Sequence, residues 1–154
     1  MDPREQAYDD QLRAATREQL RMIEARVRAH PEGSAHGDGH PHPWVEALGD
    51  WWEAELRAGR VRTCRHLHPS TPQPMHGCAW MPGLLACSMC VALGAFNVTG
   101  PADRICDRCS LDTLEVGIYN GAAMLGPVSI EYGVCPDCYR EIKGSIEAQQ
   151  GGRQ

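Results

Sequence analysis

The sequence is poor in the residues that fill large cores. Its 154 residues include one Phe, four Tyr and four Trp, set against 16 Gly and 11 Pro. That balance argues against long strands and thick helical layers and predicts short elements joined by many turns. Lysine is nearly missing: Lys143 stands beside fourteen Arg, and 20 acids bring the formal net charge to -5. An acidic balance argues against nonspecific nucleic-acid binding as the main role. An uninterrupted apolar run is missing too. No charged residue occurs from Pro69 to Ala102, yet Pro82, Gly83 and Gly94 interrupt that stretch and Cys87 and Cys90 sit inside it. It reads as a buried segment and not as a membrane span. Behind the charged start, Met1 to Glu5, there is no apolar run. No secretory signal is therefore expected, and a cytoplasmic location with reduced thiols is the corresponding expectation.

Catalytic signatures are also lacking. The chain has no His-Glu-x-x-His and no Gly-x-x-x-x-Gly-Lys-Ser/Thr loop. His30-Pro31-Glu32 matches half of a zinc-deaminase signature, but Cys135-Pro136 places the Pro after the Cys. Ser88 lies between two cysteines, and no His is expected to activate it. The reading is a non-enzymatic protein.

Charge divides the chain. Residues 1–59 hold twelve acids and seven bases, whereas 60–143 hold seven of each. A helix is expected over 3–29, with Asp2 as cap, Pro3 in the first turn and helix formers throughout. Tyr8, Leu12, Leu20, Ile23 and Val27 share one narrow face, so this helix must dock to be stable. Residues 30–43 read as a His/Gly/Pro linker in which His30, His36, His40 and His42 are incidental. A second helix, 44–58, carries Trp44, Leu48, Trp51, Trp52 and Leu56 and is expected to supply core to the cysteine-bearing region beyond it. The domain expectation is an acidic helical region over 1–59, a two-metal domain over 60–148 and a disordered tail over 149–154. The fold class is α+β.

Eight Cys are present, all between residues 64 and 138. Three Cys-x-x-Cys pairs, Cys87/Cys90, Cys106/Cys109 and Cys135/Cys138, point to tetrahedral zinc, because two thiolates three residues apart reach one ion from a tight turn. Two sites need eight donors, and the pairs give six. Cys64 and His66, near neighbours in sequence, are the favoured remainder. Cys78, beyond three prolines, is the alternative that would make both sites all-cysteine. The expected first site is Cys64, His66, Cys87 and Cys90, and the second is Cys106, Cys109, Cys135 and Cys138, for two Zn²⁺ per chain. A ribbon pairing of Cys87/Cys90 with Cys106/Cys109, and a cross-braced pairing, are left open by the spacing.

Cys106-Asp107-Arg108-Cys109 reads as a knuckle. Strands are expected next, at 114–119 and 128–132, joined by a turn running from Asn120-Gly121 to Gly126-Pro127, and Cys135-Pro136-Asp137-Cys138 opens a helix over 139–149. Knuckle, hairpin and ligand-bearing helix resemble the treble-clef zinc finger, and the resemblance implies a structural Cys₄ zinc. The helix N-terminus is expected to favour the thiolate of Cys138. Segment 64–109 is similar to small zinc-finger proteins, of treble-clef or ribbon type, in high-GC bacteria and their phages, a resemblance that implies no activity. The functional expectation is a protein-interaction or regulatory module, docking a partner or its own twin through helices 3–29 and 44–58. One alternative is a small DNA- or RNA-binding regulator using Arg60, Arg62, Arg65, Arg104, Arg108, Arg140 and Lys143. The other is a redox sensor with Cys78 as its reactive thiol.

Overall fold

The structure, a computed structural model, describes residues 2–29, 34–36, 42–68 and 73–152. Helix α1 (Pro3–Ala29) starts as the sequence predicts: the Arg4 N–H donates to Asp2 Oδ1 at 2.9 Å. Strand β1 (Ser34–His36) and helix α2 (Pro43–Arg57) come after it. Next are β2 (Arg62–Thr63), β3 (Met75–Cys78), β4 (Leu84–Cys87), the short helix α3 (Ser88–Ala92) and a 3₁₀ turn (Gly100–Arg104). Strands β5 (Tyr119–Leu125) and β6 (Val128–Val134) and helix α4 (Pro136–Gly151) complete the chain's mixed α and β elements. Helix α4 runs to Gly151, into the segment expected as a tail. No described helix is long and apolar enough to cross a membrane.

The strands lie in the order β1-β5-β6-β3-β4-β2. β5 and β6 form an antiparallel hairpin, as do β3 and β4, and the two hairpins join where β3 runs parallel to β6, Met75 opposite Val128 through Cys78 opposite Glu131. This shared sheet brings the cysteines of residues 64–90 and those of 106–138 onto one frame. The hairpin differs from the strands expected at 114–119 and 128–132. Asn120-Gly121 resembles a turn but lies inside β5, and the turn sits at Gly126-Pro127. Gly121 is needed in the strand because Tyr132 faces it in register. A Cβ there would stand 2.3 Å from the tyrosine ring.

Two further expectations are corrected. Among the described side chains of α1 the buried ones are Ala15 and Gln19, whereas Tyr8 and Leu20 are exposed. A small side chain lets the helix approach the sheet, and the Gln19 amide donates to the Met75 carbonyl at 3.3 Å, satisfying a strand end. The side chains of Ile23 and Val27 lie outside the described residues. In the expected linker, Ser34–His36 pairs in parallel with Gly121–Ala123 as β1. His42 is buried and caps α2, its Nδ1 accepting the Trp44 N–H at 3.2 Å. Positions 30–33 and 37–41, including His30 and His40, lie outside the described residues.

Helix α2 supplies core, as its tryptophans predict. Trp52 is fully buried against Leu85, Val128 and Ile130, with its ring against Gly77, where a Cβ would come within 2.9 Å. Val45 and Trp44 join Tyr132, Val134 and Ile142, and the Trp44 and Tyr132 rings meet edge to face at 5.4 Å. Trp52→Ala is expected to cost about 3–5 kcal/mol, read by denaturant unfolding. Trp51→Ala, at a ring 41% exposed, is expected to cost well under half of that.

Candidate metal centres

The first cluster is assembled by the edge of the sheet. Strand β2 pairs in parallel with β4, Arg62 opposite Leu84 and Thr63 opposite Leu85. The Cys64 N–H donates to the Leu85 carbonyl at 2.9 Å, so Cys64 lies where β4 runs out. There the Cys87 N–H donates to Cys64 Sγ at 3.3 Å. Cys87 sits at the N-cap position of α3, whose single turn returns Cys90 beside it. His66 lies in the turn after Cys64, with Nδ1 3.2 Å from Cys90 Sγ.

The second cluster forms where the hairpin meets α4. The Cys106 N–H donates to the Leu111 carbonyl, and Ser110 closes the knuckle at φ 62°. The knuckle is tied to the end of β6 from both sides. The Asp107 N–H donates to the Gly133 carbonyl at 2.9 Å, and the Gly133 N–H donates to Asp107 Oδ2 at 2.6 Å. One residue past β6, Cys135 sits at the N-cap position of α4, and Pro136 and Cys138 occupy the first turn. Arg108 pairs with Glu141 of α4 at 2.5 Å, and the Tyr119 and Tyr139 rings stack at 4.8 Å.

Cys64, His66, Cys87 and Cys90 thus form one group and Cys106, Cys109, Cys135 and Cys138 another, with the ligand atoms of each group all within 4.8 Å of one another. The structure groups the pairs sequentially, and neither the ribbon nor the cross-braced pairing is what it draws together. Cys78 is in neither group. It is fully buried with Ala86 and Phe96, and burial pushes its thiol up to about 12.

The donor geometry fits a small tetrahedral ion. A zinc held at about 2.3 Å by four sulfurs sets them about 3.8 Å apart. Cys109 and Cys135 are separated by 3.8 Å. For a mixed nitrogen and sulfur edge the tetrahedral value is about 3.6 Å, so the 3.2 Å between His66 and Cys90 needs only a small opening. Each group therefore fits one metal ion, two among the described residues.

The electrostatics agree. Burial raises the Cys64 thiol, but the amides of Cys87 and His66 outweigh it and bring it down to about 6. In the same group, desolvation and the sulfurs of Cys87 and Cys64 push Cys90 up to about 11. In the second, burial is again outweighed at Cys106, by the amides of Cys135, Cys109 and Arg108, which bring it to about 7. Cys138 moves the other way: burial and the sulfurs of Cys135, Cys109 and Cys106 raise it. In each group one proton leaves readily while another is held by crowded sulfur. A dication at the centre removes that repulsion and makes all the thiolates favourable together.

One constellation departs from the sequence expectation. His76, fully buried on β3, places Nε2 3.0 Å from Ser88 Oγ, so a His does lie beside that serine. Glu131 Oε1 is 3.9 Å from His76 Nδ1. The order resembles a nucleophile, base and orienting acid, but Ser88 Oγ donates to Met22 Sδ of α1 at 3.7 Å. The hydroxyl is turned into a helix packed over it, and the group links α1 to the sheet. No sequence pattern signals it, because residues 76 and 88 meet only through the antiparallel register of β3 and β4.

No protein family, no curated protein and no solved structure matches this chain.

Proposed function

We propose that the chain is a non-enzymatic protein built around two structural zinc ions, its second site a treble-clef finger, and that it acts as a protein-interaction or regulatory module. One observation carries this reading. In each group the protein itself supplies four donors, filling all the positions of a tetrahedron and leaving none for water or substrate. The second group also has the treble-clef sequence of parts, knuckle, hairpin and ligand-bearing helix. All eight cysteines are free of disulfides, in keeping with a reducing, cytoplasmic setting. Docking to a partner or a twin chain falls to the surfaces that α1 and α2 leave outside, Tyr8, Leu20 and Trp51.

The charge pattern disfavours the nucleic-acid alternative. Of the seven basic residues that would form a phosphate track, Arg60, Arg104, Arg108, Arg140 and Lys143 each pair with a carboxylate: Glu55, Asp112, Glu141, Asp137 and Glu147. The redox alternative is weakened by Cys78, whose buried thiol resists ionisation. Metal analysis of the purified protein is expected to return two zinc ions per chain, and cobalt exchange should give the visible absorption of tetrahedral cobalt thiolate. Binding to a labelled DNA duplex should be weak. An affinity that is high in dilute salt and falls steeply as salt rises would place the nucleic-acid reading first.

A further inference from the structure

A cavity of about 280 Å³ opens beside the second cysteine group, between the loop after α3 and the end of the β5–β6 hairpin. Its size suits a side chain or a small metabolite fragment rather than a nucleotide. Its lining includes the aromatic residues Trp80 and Phe96, the amide residues Asn97 and Asn120, and the acids Asp103 and Asp107. Among the described residues, no basic side chain lines it. The chain's nearby cations are engaged elsewhere: Arg104 donates to Asp112 at 2.9 Å, and Arg108 pairs with Glu141 at 2.5 Å. The walls are also fixed. The Trp80 indole N–H donates to the Phe96 carbonyl at 2.9 Å, and Asp107 is held by the Gly133 N–H.

From this combination of shape, aromatic residues and carboxylates with no cation paired to them, we propose that the cavity binds an organic cation of side-chain size, an alkylammonium or alkylguanidinium head on a short apolar stem. Aromatic faces attract such a head through their negative quadrupole, and carboxylates pair with it, while the stem is small enough to enter between Val98 and Ile118. The same chemistry is carried by a free amine or by a Lys or Arg side chain of a partner. The site goes beyond the structural-metal reading and rests on it in one respect: Asp107, on its wall, lies between Cys106 and Cys109 of the second group, whereas Asp103 lies outside both groups.

Titration of the full chain with n-butylguanidinium at constant ionic strength, followed by amide NMR, tests this. Saturable shifts are expected at the Trp80 indole N–H and the amides of Asn97, Asn120 and Gly133. Neutral 1-pentanol and anionic pentanoate should leave those signals in place. Asp103→Asn should weaken binding by about three- to fivefold with the rest of the spectrum unchanged. A capped Gly-Arg-Gly peptide separates the sources. Tighter binding than butylguanidinium assigns the site to a partner's side chain, and equal or weaker binding assigns it to a free amine. Equal shifts from 1-pentanol, or an unchanged affinity in Asp103→Asn, in protein that keeps two metal ions and its native circular dichroism, would overturn the proposal while leaving the structural-metal reading in place.

Discussion

A chelator that strips both metal ions under reducing conditions is expected to collapse the cooperative melting transition and remove most of the native circular dichroism. The magnitude comes from the two sides of the balance. A structural zinc site contributes on the order of 10 kcal/mol or more of folding free energy at neutral pH, while whole domains of this size are stable by about 5–15 kcal/mol. Losing two such contributions exceeds the total. The structure shows where the loss falls. Cys64 fastens β2, a strand of two residues, and Cys87 and Cys90 fasten α3, a helix of five. Elements so short do not persist on backbone hydrogen bonds alone. Without a cation, each group also leaves crowded sulfurs whose ionisation is mutually opposed, with Cys64 near 6 and Cys90 near 11. The part best able to survive is the hairpin with α2 and α4, where Tyr132, Val134 and Ile142 are fully buried. Restoring zinc should restore both signals. An unchanged melting temperature in metal-free protein would overturn the structural role of the ions.

The range of each interaction decides how legible it was in the sequence. The two donor groups were legible because ligand pairs two and three residues apart are short-range chemistry, and sequential grouping asks only that near neighbours meet. Helices α1 and α2 were legible from Pro3, Pro43 and the periodic apolar residues. The sheet was not. Met75–Cys78 and Leu84–Cys87 are four residues each, inside one uncharged stretch with no period, and β3 finds β6 far along the chain, Met75 opposite Val128. Asn120-Gly121 misled for a physical reason: the glycine answers a cross-strand tyrosine, a requirement visible only once Tyr132 is known to face it. The packed face of α1 was misread because close approach to a sheet favours Ala15 over the larger Tyr8 and Leu20. His42 looked incidental because a cap is recognised by its place before a helix, and Gly and Pro around it suggested a loop.

Cys135→Ser should lower the zinc content from two ions to one and cost on the order of 5 kcal/mol or more, whereas Cys78→Ala should keep both ions and cost about 1 kcal/mol. Both sulfurs are buried, so burial does not separate them. Their surroundings do. Cys135 stands at the junction of β6 and α4, 3.8 Å from Cys109 Sγ, immediately before the helix that carries Cys138. Replacing it withdraws one of four donors and leaves three sulfurs drawn together with no complete shell to hold an ion. Release of that ion frees the knuckle from the helix, leaving Arg108–Glu141 and the Asp107–Gly133 bonds to keep 106–113 in place, and partly exposed ion pairs contribute little. Cys78 touches Ala86 and Phe96, and its raised thiol behaves as a small apolar group. Alanine there leaves a gap of one sulfur atom and no unpaired charge. Zinc content and denaturant unfolding of the two variants, measured side by side, decide the matter. A variant at Cys78 that loses metal while one at Cys135 keeps two ions would move Cys78 into a metal shell and dissolve the grouping of donors on which the structural reading stands.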